Sequence, residues 1–229
     1  MNLQPNSKFV ISFLALTFLM HEAHELAHTT LGRIICGAWG VRDFNVWRLA
    51  EGCSKGNLFT MLPTYVGPIF TFTMIWIGAF LLAPKNDIQK KSLGFAFIFA
   101  NLPFARILTA ALGGGDEVYA TSILLNDHSL AWGLGPSGIL LIFAYPLYKG
   151  FITIEKHRIA WFSLFFFVPV IIDMVVVLGL MNTLLERGFL SDYWILGSPI
   201  LVTLWTILAL LGFIVMQKHI YTLGSGRPR

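Results

Sequence analysis

The chain has 229 residues, of which 56% are hydrophobic and 12% charged, and its mean hydropathy is +0.71. Soluble domains carry roughly 25% charged residues, so this composition excludes an ordinary soluble protein and indicates an integral membrane protein. The net charge of +4 comes from basic residues at the ends of apolar segments, a pattern that suits lipid headgroups and excludes a nucleic-acid groove.

Six apolar segments are long enough to cross a bilayer, which takes about 20 residues each. They are Phe9–Ile35, Pro63–Leu82, Ser92–Leu112, Leu130–Tyr148, Ile159–Leu185 and Ile195–Gln217. These segments predict an all-α membrane protein with about six transmembrane helices, in which residues 1–229 form a single integral membrane domain.

The connection between the first two segments is more polar and rich in glycine. Two of its stretches have the pattern of strands, Val41–Leu49 and Leu58–Leu62, so we expect a small surface hairpin there. The two cysteines of the chain, Cys36 and Cys53, both fall in this region. An oxidising compartment would allow a disulfide, and two free thiols are the alternative.

Six spans put both termini on one side, so the basic residues of the two sides can be compared. The terminal side carries ten: Lys8, Lys85, Lys90, Lys91, Lys149, Lys156, Arg158, Lys218, Arg227 and Arg229. The other side carries five: Arg33, Arg42, Arg48, Lys55 and Arg187. The positive-inside rule then predicts a multi-pass protein of the cell membrane with cytoplasmic termini and the hairpin outside.

The first segment contains three histidines and two glutamates between His21 and His28. At about 100° per residue, His21, His24, Glu25 and His28 share one face of a helix. His24-Glu25-Leu26-Ala27-His28 matches the H-E-x-x-H pattern, in which two imidazoles one turn apart bind zinc and the glutamate is the general base. Ionisable groups at membrane depth are costly and usually functional. The motif predicts His24 and His28 as zinc ligands and Glu25 as the catalytic residue.

A catalytic zinc takes three protein ligands, so one more is needed. Asp116 follows three glycines that let the backbone bend back toward the metal, and it is the favoured third ligand. Asp173, a lone acid in the fifth segment, is the alternative. His21 and His128 are further candidates. With Asp116, the metal-binding core covers about 9–117, and additional helices follow at about 130–217.

The order of these motifs resembles the site-2 protease family of intramembrane zinc metalloproteases. Besides the metal motif, the resemblance includes Leu31-Gly32, Leu62-Pro63-Thr64-Tyr65-Val66 and Gly67-Pro68. The third core helix of that family carries an Asn-x-x-Pro element and an Asp-Gly whose aspartate is the third zinc ligand. Asn101-Leu102-Pro103 is one residue shorter, Asp116 follows its glycines, and the spacing between them is longer by about two helical turns.

The resemblance implies hydrolysis of a peptide bond in a transmembrane or membrane-bordering protein or peptide substrate, with zinc as cofactor. Asn101 could hydrogen-bond an unwound substrate strand or make an ordinary interhelical contact. Arg106 could stabilise the developing oxyanion or pair with Glu22 or Glu117. His21 could orient a ligand, bind the metal or act as a gate.

Three other functions stay open at this point. Zinc transporters of the ZIP type carry a similar histidine and glutamate cluster, but transport needs polar ligands along a path, and the fourth and sixth segments offer none. A membrane di-iron hydroxylase or desaturase needs several histidine boxes, whereas this chain has six histidines in total. A non-proteolytic protein that binds and shields a membrane partner is the third.

Overall fold

The structure, a computed structural model, describes residues 1–53 and 58–224. In these ranges it is all-helical, and six of its helical stretches are long and apolar enough to span a membrane, which confirms the predicted fold class. The helices are α1 Ser7–Cys36, α2 Leu62–Leu81, α3 Ile88–Ala100, α4 Pro103–Ala111, α5 Gly115–Leu125, α6 His128–Thr153, α7 Arg158–Asp173, α8 Asn182–Glu186 and α9 Ile200–Met216. A π-helix, Met174–Met181, joins α7 to α8.

Helix α1 has a clear signal at each end. The Asn6 side chain accepts a hydrogen bond from the backbone N–H of Phe9, and Gly37 ends the helix with a φ of 74°. Its 30 residues span about 45 Å, more than the hydrocarbon core of a bilayer. The histidine motif lies in its C-terminal half.

The third predicted segment is broken into α3 and α4. Leu102 adopts a φ of 50° at the break, because the ring of Pro103 disfavours a helical conformation for the residue before it. After α4, Gly113 and Gly115 take φ values of 83° and 80° and reverse the chain. The short helix α5, which the sequence analysis did not predict, follows this turn and packs against α2 and α6.

Aromatic rings fill the core around the N-terminal half of α1. Phe165 of α7 meets Phe13 of α1 and Phe95 of α3 edge to face, with ring centroids 5.3 and 5.0 Å apart. Phe9 and Phe95 are fully buried in the same cluster. These contacts hold α1, α3 and α7 together and leave the polar half of α1 for the site.

A small hairpin lies at the other end of α1, inside the predicted strand Val41–Leu49. Arg42 and Trp47 make an isolated antiparallel bridge, and the backbone N–H of Asp43 donates to the carbonyl of Val46 at 2.8 Å. The chain thus reverses within this stretch, so the strand prediction for Val41–Leu49 was wrong.

The second strand prediction, Leu58–Leu62, was wrong. Leu58–Met61 is a 3₁₀ turn that leads directly into α2, because Pro63 suits the first turn of a helix and lacks the N–H of a strand. The predicted hairpin residues Lys55 and Gly56 lie outside the described residues.

A disulfide and a buried ion pair fix the hairpin over α1. Cys36 and Cys53 form a disulfide with their Cα atoms 5.3 Å apart, which confirms the first of the two alternatives. Arg42 donates to Glu22 Oε2 at 3.0 Å and to Ser198 Oγ at 3.0 Å, and both charged side chains are 1% exposed. The hairpin is therefore fixed to the helix that carries the histidine motif.

The N-terminal residues and the last described residues meet at the opposite end of the bundle, as six spans require. The backbone N–H of Gln4 donates to the carbonyl of Leu223 at 2.8 Å. The last span begins at Ile200 and not at Ile195, because Pro199 interrupts the helix and residues Ile195–Gly197 form a separate 3₁₀ turn. The predicted basic residues Arg227 and Arg229 lie outside the described residues.

Candidate metal centre

The two histidines of the motif point their rings at one position. His24 and His28 lie one turn apart on α1, and their Nε2 atoms are 3.1 Å apart. Both residues are buried, at 6% and 0% exposure.

The other ring nitrogens determine where the protons are. His28 Nδ1 lies 2.6 Å from the carbonyl of Pro63, which can only accept, so Nδ1 carries the hydrogen. His24 Nδ1 lies 2.9 Å from Thr71 Oγ1, a hydroxyl that can accept a hydrogen from the ring. With the hydrogen of each ring on Nδ1, both Nε2 atoms can present lone pairs to a metal ion, and both rings are held by a second partner as in protein metal sites.

Asp116 brings a third electron-pair donor to the same position. Its Oδ2 lies 3.2 Å from His24 Nε2 and 3.6 Å from His28 Nε2. Burial alone would raise the pKa of this carboxyl, but the Arg106 guanidinium, 2.9 Å from Oδ2, holds the pKa well below its usual range. The carboxylate is therefore ionised, and the turn at Gly113 and Gly115 is what returns it to α1.

Arg106 supports Asp116 from the side. Its Nη2 donates to Asp116 Oδ2 at 2.9 Å and to Glu117 Oε2 at 2.6 Å, while its Nε donates to Glu117 Oε1 at 3.1 Å. The predicted pair with Glu117 is confirmed. The pair with Glu22 was wrong, because Arg42 of the hairpin occupies that carboxylate.

Glu25 is the uncommitted acid of the site. It is 7% exposed, and its Oε2 has no hydrogen-bond partner among the described residues. The ligand-type atoms of His24, Glu25 and His28 all lie within 4.8 Å of one another. A carboxylate so placed can accept a proton from a molecule bound beside the two rings.

The remaining sequence candidates lie apart from this position. Asp173, the alternative third ligand, meets His21 instead, with Asp173 Oδ1 2.9 Å from His21 Nδ1. His128 is exposed at the start of α6.

Three residues that the sequence analysis did not assign complete the site. Trp47 of the hairpin stacks on the His28 ring, with centroids 4.8 Å apart and planes 13° apart. Gly67 lets α2 approach His28 so closely that any side chain there would overlap the ring. Gly67 and Thr71 are four residues apart on α2, so they share the face that meets α1, and this spacing was the available signal. Nothing in the sequence pointed to Trp47.

A cavity of about 1490 Å³ opens beside the site, between the hairpin, α4, α5 and the α7 to π-helix junction. His21, His24, Glu25, Asn101 and Asp116 line it, together with apolar side chains. Asn101 donates from Nδ2 to the carbonyl of Phe97 at 2.7 Å, while its buried Oδ1 has no partner among the described residues. The cavity thus offers hydrogen-bond acceptors without partners beside the candidate metal ligands.

Two imidazole nitrogens that can present lone pairs and an ionised carboxylate form a donor set that fits a divalent metal ion. No protein-family model, curated protein or solved structure matches this chain.

Proposed function

We propose that this protein is an intramembrane zinc metalloprotease of the site-2 protease type. The observation that carries the proposal is the convergence of His24 Nε2, His28 Nε2 and Asp116 Oδ2, with the uncommitted Glu25 beside them. A tetrahedral zinc with Zn–N distances of about 2.0–2.1 Å holds two ligand nitrogens roughly 3.3 Å apart. The separations of 3.1 to 3.6 Å are close to this value.

His24, His28 and Asp116 would hold the zinc. When bound, zinc supplies a Lewis acid that polarises the scissile carbonyl and makes water acidic enough to ionise near neutral pH. Glu25 accepts one proton as the water oxygen bonds to the carbonyl carbon, and it passes that proton to the nitrogen as the C–N bond breaks. The products are a carboxylic acid and an amine, and Glu25 returns to its starting state.

The cavity suits an extended peptide. A transmembrane segment must unwind before its peptide bonds can be attacked, and its freed N–H and C=O groups then need partners inside the membrane. The buried, partnerless Oδ1 of Asn101 can accept from one such N–H. Arg106 is committed to two carboxylates, so we assign it to holding Asp116 and not to the oxyanion.

Transport is the weaker proposal. A transporter needs a succession of ligand groups across the bilayer, but residues 1–53 and 58–224 contain one cluster of metal-ligand composition.

We also propose cytoplasmic termini in a cell membrane. The positive-inside count of ten against five supports this orientation, and the Cys36–Cys53 disulfide suits an oxidising outer compartment. The test is Ser225→Cys, at a position outside the described residues, with intact cells treated with a membrane-impermeant thiol reagent. We expect no reaction until the cells are opened, and reaction in intact cells would overturn the orientation.

The test of the chemistry is Glu25→Gln in purified protein, measured as cleavage of a model transmembrane peptide and as zinc per chain. The amide keeps size and hydrogen bonding but cannot accept the proton, so we expect cleavage to fall by roughly 10²–10⁴-fold with zinc retained. His128→Gln, at an exposed site on α6, is the control. Cleavage by Glu25→Gln at the wild-type rate would refute the mechanism.

A further inference from the structure

The pair formed by His21 and Asp173 faces the same cavity as the metal centre and has no part in the chemistry above. His21 lies one turn before His24 on α1, and Asp173 is the last residue of α7, where the π-helix begins. Their side chains are 14% and 7% exposed. Burying an ionisable histidine and a carboxylate at membrane depth costs free energy. Turns of π-helix are rare in proteins overall, and those that occur are often found at functional sites.

The contact with Asp173 sets the state of the His21 ring. An ionised carboxylate can only accept, so His21 Nδ1 carries a hydrogen directed at Asp173 Oδ1, 2.9 Å away. A buried carboxylate without a counter-charge is costly at membrane depth, so the pair is favoured in the form that is neutral overall, in which the ring is doubly protonated. Nε2 then carries a hydrogen as well, and it has no partner among the described residues.

Several donors near His21 are committed to other partners. Arg106 donates to Asp116 and Glu117, and the Asn101 amide donates to the carbonyl of Phe97. The Nδ1 atoms of His24 and His28 both face partners on α2. Asn101 Oδ1 and Glu25 Oε2 are acceptors without partners. A peptide in this cavity would find acceptors for its N–H groups, and it needs a donor for a carbonyl oxygen.

We propose that His21 is a substrate-binding residue whose Nε2–H donates a charge-assisted hydrogen bond to a main-chain carbonyl oxygen of the peptide, and that Asp173 is the positioning residue that orients it. This inference rests on the proposed function only in taking the ligand to be a peptide. An unwound segment in lipid has carbonyls that lack partners, which makes one strong donor valuable there.

Binding can be measured without cleavage. In protein carrying Glu25→Gln, the affinity for a fluorescent model transmembrane peptide with a central Asn-Pro pair is compared with and without His21→Phe. Phenylalanine keeps an aromatic ring and removes the donor, so we expect affinity to fall roughly tenfold or more, with zinc content unchanged. His128→Phe is the matched control, because it makes the same substitution at an exposed histidine. Equal affinities with and without His21→Phe would overturn the proposal.

Two further arms separate a binding role from a structural one. A peptide with an alkene in place of the peptide carbonyl next to the scissile bond cannot accept this hydrogen bond. It should therefore bind equally well to the proteins with and without His21→Phe. Asp173→Asn should weaken binding of the ordinary peptide, and the double variant His21→Phe, Asp173→Asn should be no worse than His21→Phe alone. Additive losses, or an equal loss with the alkene peptide, would refute the assignment. If peptide binding depends on His21 but the wild-type protein never cleaves the peptide, this inference is upheld and the proposed protease function is overturned.

Discussion

Two aspartates approach the histidine face of α1 from different helices, and each meets an imidazole. Asp173 Oδ1 lies 2.9 Å from His21 Nδ1, and Asp116 Oδ2 lies 3.2 Å from His24 Nε2. The first nitrogen carries a hydrogen, so that contact is a complete hydrogen bond. The second can carry a lone pair for a metal ion, because the Thr71 hydroxyl can accept the Nδ1 hydrogen of that ring. Contacts of similar length thus differ in chemistry, and the partner of the other ring nitrogen decides which is a metal site.

The largest expected difference between the two regions is in zinc content. Asp116→Asn removes a charged ligand, and we expect zinc affinity to fall by more than roughly 100-fold, beyond the effect of losing an outer partner. Asp173→Asn should leave zinc binding unchanged. Zinc per chain, measured after dialysis against a weak chelator, gives the comparison. Loss of zinc only in the Asp173 variant would move the third ligand to α7.

Thr71→Val tests whether the second partner of His24 matters. Valine has the same shape but cannot accept the Nδ1 hydrogen at 2.9 Å, so the ring loses its fixed orientation. We expect zinc affinity to fall by about 10–100-fold, measured by competition with a chromophoric chelator. Thr73→Val, two residues away on the exposed face of α2, is the control. Equal affinities in the two variants would show that the tautomer of His24 is set in another way.

Gly67→Ala tests the approach of α2 to His28. An added methyl group would overlap the imidazole, so one of the two must move, and overpacking of this kind costs about 1–3 kcal/mol of unfolding free energy. Zinc affinity should fall as well, because the displaced ring is a ligand. Gly133→Ala on α6 places its methyl group in open space and is the matched control. The midpoint of thermal unfolding in detergent is measured for both variants. An unchanged midpoint in Gly67→Ala as well as in Gly133→Ala would exclude the close contact between Gly67 and the His28 ring.

The smallest effect is expected for an acid pair outside the membrane spans. Tyr193 donates to Asp43 Oδ1 at 2.8 Å, and burial together with this carboxylate raises the pKa of Tyr193 from 10.0 to about 12. Tyr193→Phe should cost less than about 1 kcal/mol, because the bond is exposed to solvent. The contribution is present below about pH 10 and is lost as the pH rises toward 12, since the folded state favours the neutral phenol. Unfolding midpoints of both proteins at pH 8 and pH 11 should therefore differ less at the higher pH.

The sequence was sufficient to predict the number of spans, because each helix crossing lipid must be a long apolar run. It was also sufficient to predict that His24, Glu25 and His28 lie together, because they share one helix and their relative positions follow from helical geometry alone. Asp116 was placed by the glycines that precede it, whose conformational freedom marks a reversal of the chain.

What could not be predicted depends on contacts between segments that are distant in the chain. Asp173 and His21 are 152 residues apart, so their pairing depends on how α7 packs against α1. Pro103 marked the break at Leu102 in the sequence. The long spacing from Asn101 to Asp116 contains the whole of α4, and Asp116 returns to α1 only because the glycine turn after α4 reverses the chain. Local signals gave the wrong answer for Leu58–Leu62, where β-type residues form the entry turn of a helix.

The stacking of Trp47 on His28 also gives the site an optical signal. The indole lies in face-to-face contact with the imidazole, 4.8 Å between centroids, so a change in the charge or ligation of that ring alters the excited state of the indole. The chain has seven tryptophans, and replacing the other six with phenylalanine would leave an emission spectrum that reports on one ring. Cation binding could then be followed by fluorescence in the intact membrane, without a substrate.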